Sequence, residues 1–142
     1  MLRVLALLAA VGTISAGGPT TPHRAAGCFT THHVIATALP DRLDPIPPAF
    51  RGTGVLDISF ALVHGRELDH ARLLFQKNVA TERRVKLEID AIQYQAAGNR
   101  PSTRKVINEQ EQLVNNVVVL WTVGLSADVH PASKRTVVGC LS

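Results

Sequence analysis

RELDHARLLFQKNVATERRVKLEIDAIQYQAA, residues 66–97, contains neither glycine nor proline, and the division of this stretch between helix and strand decides the fold. Its first half has helical spacing. Leu68, Ala71, Phe75 and Val79 recur at intervals of three and four, which predicts a helix over residues 66–80 with one apolar stripe against a core. In the second half Val85, Leu87, Ile89 and Ala91 alternate with Lys86, Glu88 and Asp90, the period of a half-buried strand. Val85, Ile89, Ile92 and Ala96 also suit a helix running to the stop signal Gly98-Asn99-Arg100-Pro101. The unbroken alternation favours the strand.

Upstream, Leu56, Ile58, Phe60 and Leu62 alternate with Asp57, Ser59 and Ala61, so Thr53 to Val63 reads as a strand. His33 to Leu39 is a short apolar piece that suits a first strand. Downstream, a further element begins at Lys105, and the polar run NEQEQ breaks it. Val114 to Val123 is strongly β-branched and reads as a central strand buried on both faces. SADVHPASK is expected to be a loop, followed by a last short strand from Thr136 to Cys140. The fold class that follows is α+β, one helix packed on a mostly antiparallel sheet, with an all-β sandwich as the alternative.

Composition sets the frame. At 142 residues, 46% apolar and 18% charged, the chain is one domain's worth of ordinary globular sequence. Aromatics are only 4%, so the core must come from aliphatic side chains, and stacking platforms for bases or sugars are disfavoured. The N-terminus, MLRVLALLAAVGTISAGG, has Arg3 ahead of an apolar run from Val4 to Ile14 and small residues at 15–17. This predicts a signal peptide over residues 1–16 and hence a secreted chain, extracellular or, in a bacterium, periplasmic. An uncleaved anchor is the alternative, although the run is short of the ~20 residues a span needs. Without residues 1–16 the formal charge falls from +4 to +3, because Arg3 is the one cation removed. Such a mild, dispersed charge excludes a nucleic-acid partner.

Residues 17–31 are rich in Gly, Pro and Thr and read as an extended arm, leaving 32–142 as the single globular domain. Cys28 and Cys140 are the two cysteines, and in an oxidising compartment an even pair implies a disulfide, here tying the first ordered strand to the last. The segment PDRLDPIPP (40–48) must be an extended loop.

Chemistry concentrates in HGRELDH, residues 64–70. Glu67 and His70 form an E-x-x-H pair, but di-iron sites need two such pairs, and His64 and His70 are too far apart for H-E-x-x-H. A divalent transition metal, zinc or copper, would require His64, Glu67 and His70 with His32 or His33. The structural alternative places Glu67 and Asp69 at a strand-to-helix junction, where acids favour the helix start. No cofactor is expected on that reading. No G-x-S-x-G and no glycine-rich phosphate loop occur, since RGTG (51–54) precedes a strand.

Gly17-Gly18 near the mature N-terminus of a small secreted chain resembles the cystatins, yet QYQAAG (93–98) stands where their Q-x-V-x-G hairpin would be. RGTGVLDISF (51–60) followed by VVVLW (117–121), with a cysteine near each end, resembles the secreted lipid-recognition sandwiches, without that family's further paired cysteines. Neither likeness carries a residue assignment. The expectation is a secreted binding or inhibitory domain that meets an extracellular protein through exposed loops at Pro45, Pro47, Pro48, Asn99 and Arg100. The alternatives are a secreted metal-dependent or hydrolytic enzyme using His64, Glu67 and His70, and a carrier of a small apolar ligand.

Overall fold

The computed structural model describes residues 17–40, 46–60, 69–122 and 129–142. The proposed signal segment, Pro45, His64 and Glu67 therefore lie outside the described residues. The chain forms α1 (Pro22–Thr31), β1 (Val34–Ala38), α2 (Pro48–Arg51), β2 (Gly54–Phe60), β3 (His70–Phe75), α3 (Val79–Ala96), α4 (Pro101–Glu109), β4 (Glu111–Val114), β5 (Val117–Thr122) and α5 (Pro131–Leu141). The five strands make one antiparallel sheet in the order β1-β2-β3-β5-β4. The α+β class holds, with helices on both faces of the sheet rather than one helix on one face.

The stretch that decides the fold divides the other way round from its periodicity. Residues 70–75 are a strand, not a helix, because β3 lies inside the sheet, paired along both edges. Ala71, Leu73 and Phe75 are buried on one side and Leu74 on the other, so the period of two is hidden. Residues 79–96 are a helix, not a strand. Val85 and Ile89 are buried at helical spacing, while Leu87, which the alternation would have buried, is 68% exposed. Asn78 starts this helix, its Oδ1 accepting from the backbone N–H of Thr81 at 2.8 Å.

Two further expectations are overturned. The Gly/Pro/Thr arm carries α1, started by the Thr21 hydroxyl, which accepts from the Arg24 N–H, and by Pro22 in the first turn. The expected last strand, Thr136 to Cys140, belongs to α5, begun at Pro131, with Ser133, Val137, Cys140 and Leu141 buried at helical spacing. The Cys28–Cys140 disulfide is present, but it joins these two helices rather than two strands. The expected strand from Thr53 is β2, and the β-branched run from Val114 turns at Asn115-Asn116 into the β4–β5 hairpin. Asn115 takes a positive φ of 55°, which asparagine tolerates and a two-residue hairpin turn requires.

The pleat sorts the core into two layers. On one face Leu56, Ile58, Ala71, Leu73, Phe75, Val117, Val119 and Trp121 pack beneath Ala25 and Phe29 of α1 and Val137, Cys140 and Leu141 of α5. Phe60 and Trp121 meet at a ring separation of 6.2 Å. On the other face Val55, Leu74 and Val118 pack beneath Phe50 of α2 and Val85 and Ile89 of α3. Gly52, within the RGTG stretch, makes this second layer feasible. Its φ is +54° and a Cβ there would collide with the carbonyl of Phe75, so the close approach of the two segments requires glycine.

Candidate binding groove on the open half of the sheet

Among the described residues, helices cover only half of the second face. Strand register places three cross-strand rows on it. The row Val55–Leu74–Val118 lies under α2 and α3. The next row runs Thr37–Asp57–Arg72–Leu120–Glu111. The outermost contains Ile35, Ser59 and His70, and Ile35 is 65% exposed. Asp57, Ser59, His70, Arg72 and Leu120 line a groove of about 380 Å³ over this uncovered half.

Two polar pairs form its floor. Asp57 and Arg72 are directly opposed on β2 and β3, and the guanidinium grips the carboxylate with both prongs, Nε to Oδ1 at 2.8 Å and Nη2 to Oδ2 at 3.0 Å. Two parallel bonds fix the plane of the arginine as well as its charge. One row on, the Ser59 hydroxyl and His70 Nδ1 lie 2.9 Å apart. A serine beside a histidine suggests acyl transfer, yet no acid in the described contacts orients the far side of this imidazole, which nucleophilic catalysis would need. The pair presents instead a hydroxyl and an imidazole edge, each able to donate and accept.

The covered end of the same row holds a buried charge cluster. Lys86 of α3 donates to Asp90 Oδ2 at 2.5 Å and lies 3.2 Å from Glu111 Oε2 on β4. Burial, and then the adjoining Asp90 carboxyl, push Glu111 up to about 7 against the pull of Lys86. Burial alone would lower Lys86, but its hydrogen bonds to Asp90 and Glu111 outweigh this and hold it above its ordinary value. Near neutrality Glu111 is therefore only partly ionised beside the Lys86 ammonium.

Glu82 of α3 is 1% exposed, and burial likewise pushes it up to about 7, opposed by Arg83 and Lys86. Because this folded value lies above 4.5, the associated stability is complete below about pH 4.5 and is lost as pH rises through 7. Urea unfolding at pH 5 and pH 8 is expected to show a loss on the order of 2–3 kcal/mol from this group. Glu82→Gln should remove most of that difference and be the more stable protein at pH 8. An unaltered pH dependence in the variant would assign the effect elsewhere.

Of the sequence stretch HGRELDH, Asp69 and His70 lie among the described residues. The stretch joins β2 to β3, so the expected strand-to-helix junction is a strand-to-strand connection. Asp69 is buried, and its Oδ2 accepts from the His130 backbone N–H (3.2 Å), from His130 Nδ1 (3.0 Å) and from the Ser133 hydroxyl (2.7 Å). It caps the first turn of α5 from a distance in sequence, on the positive end of that helix. Sequence reading missed His130 and Ser133, which sat in an apparent loop. The three residue types are those of a hydrolase triad, but Ser133 gives its proton to the aspartate rather than to the histidine, which leaves the group a helix cap.

Of the other histidines proposed for a metal, His70 projects into the groove beside Ser59, whereas His32 ends α1 on the opposite side of the sheet, beside Cys28 and Cys140. His33 follows with a positive φ of 58°. Among the proposed binding loops, Pro47 is exposed ahead of α2 and Pro48, expected in a loop, is exposed as its first residue, while Asn99 and Arg100 are exposed between α3 and α4, where Asn99 accepts from Arg104. Among the described residues no helix is long and apolar enough to cross a membrane.

Comparison with protein-family models, with curated proteins and with solved structures finds no match for this chain.

Proposed function

We propose that this is a secreted binding domain whose ligand is polar and occupies the open half of the sheet. The observation that carries the reading is the groove itself. Among the described residues, helices roof the rest of the sheet but not the row of Asp57 and Arg72 or the row of Ser59 and His70. A rigid antiparallel floor holds four hydrogen-bonding side chains in fixed register, which is the pre-organisation that lowers the cost of binding. The lining suits a neutral or zwitterionic ligand, such as an extended segment of an extracellular protein, because it offers a carboxylate, a guanidinium, a hydroxyl and an imidazole side by side. The apolar N-terminal run and the Cys28–Cys140 closure support export to an oxidising compartment.

Isotope-labelled protein titrated with a panel of short neutral and zwitterionic peptides tests this. Amide shifts should concentrate at residues 57–59, 70–72 and 120, and Arg72→Ala should weaken the best binder by tenfold or more. Shifts gathered at residues 98–100 instead would move the ligand to the α3–α4 turn. No shifts with any peptide would remove the groove from consideration.

A further inference from the structure

Away from the groove, α1 and α5 bring three potential metal ligands together. Cys28 lies in α1, His32 is one helical turn further on at its end, and Cys140 lies in α5. The two sulfurs and a ring nitrogen of His32 all lie within 4.8 Å of one another. The position of His32 is not loose, because its backbone N–H is held by the carbonyls of Cys28 and Phe29 in the last turn of α1. The three residues differ in exposure. Cys140 is buried, Cys28 is half-buried and His32 is exposed, so one side of the cluster opens to water.

We propose that the reduced chain binds one zinc ion through Cys28, Cys140 and His32, so that α1 and α5 are tied by the disulfide under oxidising conditions and by the metal under reducing ones. Two thiolates and an imidazole are a ligand set that zinc favours, with a fourth, water-filled position on the exposed side. Zinc–ligand bonds of ~2.0–2.3 Å put tetrahedral ligand atoms ~3.3–3.8 Å apart, so side-chain rotation suffices once the sulfurs are parted. The Cα atoms of the two cysteines are 5.5 Å apart and the helices that carry them are packed on the same core, so the backbone need not rearrange.

The two closures exclude each other. A dithiol supplies two electrons and two protons to the disulfide, becoming a disulfide itself and leaving two protein thiols. The zinc ion then displaces both thiol protons and stays Zn(II) throughout.

The test uses the folded chain reduced with a water-soluble phosphine, which leaves as its oxide with oxygen taken from water. Cobalt(II) is the probe and zinc the competitor. Since the chain has only these two cysteines, a thiolate-to-cobalt charge-transfer band can arise nowhere else. The reduced protein should give that band at one cobalt per chain, zinc should abolish it, and zinc should raise the melting temperature of the reduced protein. The oxidised protein should do none of these. His32→Ala, which leaves the disulfide intact, should weaken binding by tenfold or more after reduction, while His33→Ala should not. A reduced chain that gives no band, a His32→Ala variant that binds as tightly as the parent, or binding that leaves the reduced chain no more stable than before would each overturn the proposal.

Discussion

Replacing both cysteines, Cys28→Ser with Cys140→Ser, is expected to lower the unfolding free energy by about 3–5 kcal/mol in metal-free buffer. The bond closes a loop spanning 112 positions, nearly the whole described domain, and the entropy it removes from the unfolded chain grows with the logarithm of that length. The folded state should change little. Phe29 and Ala25 of α1 and Leu141 and Val137 of α5 are fully buried against the sheet, and these contacts survive the loss of the sulfur bridge. The loss should therefore appear in urea unfolding as a lower midpoint, with the helical circular dichroism of the native state retained. A variant that loses less than ~1 kcal/mol would mean that the unfolded chain already keeps α1 and α5 together. The same experiment on a reduced parent with zinc present should recover part of the loss, which connects this measurement to the metal proposal.

The strands were legible where one sheet face differs from the other. β2 alternates along Leu56, Asp57, Ile58 and Ser59 because one side faces α1 and α5 and the other faces the groove. β5 is apolar at Val117, Val118 and Val119, all fully buried, and its β-branched run marks it as interior. β3 is equally interior but carries leucine and alanine, residues at ease in a helix, so its spacing misled. The helix starts carried a signal that the sequence reading took for arm and loop. Pro22, Pro48, Pro101 and Pro131 each stand in the first turn of a helix, although proline in a sequence is more readily taken as loop. Thr21 and Asn78 add side-chain caps that distinguish a helix start from a turn.

The groove was hidden for a different reason. Asp57 and Arg72 are fifteen positions apart, and Asp69 and Ser133 sixty-four, so their meeting depends on strand register and on helix docking. Local spacing contains neither quantity. The disulfide was accessible because two cysteines admit one intramolecular pairing, yet which elements it joined depended on whether each flank was helix or strand.

Asn116→Ala is expected to destabilise the protein by roughly 3–5 kcal/mol, from three buried groups losing their partners. Asn116 is 1% exposed at the β4–β5 turn. Its Oδ1 accepts from the Thr20 N–H at 2.7 Å, and its Nδ2 donates to the carbonyls of Thr20 (3.0 Å) and Gln76 (2.6 Å). Thr20 and Gln76 are themselves buried, so water cannot replace the amide at little cost. The neighbouring bonds show what is at stake. The Thr20 hydroxyl donates to the Leu141 carbonyl and Gln76 Nε2 to that of Phe50, so one asparagine joins the N-terminal segment, β3, α2 and the end of α5. Asn116→Asp should be worse than alanine, since it sets a carboxylate against two carbonyl oxygens. Asn115→Gly, which keeps the positive φ of the turn, is the control. That side chain also bonds Thr20 and Leu141 but is more accessible, and its loss should cost distinctly less. Hydrogen exchange adds a local reading, because the Thr20 amide should lose its protection in Asn116→Ala well before the β2 and β3 amides do. If Thr20 stays protected and the cost is under ~1 kcal/mol, the N-terminal segment is held by the disulfide and apolar packing instead.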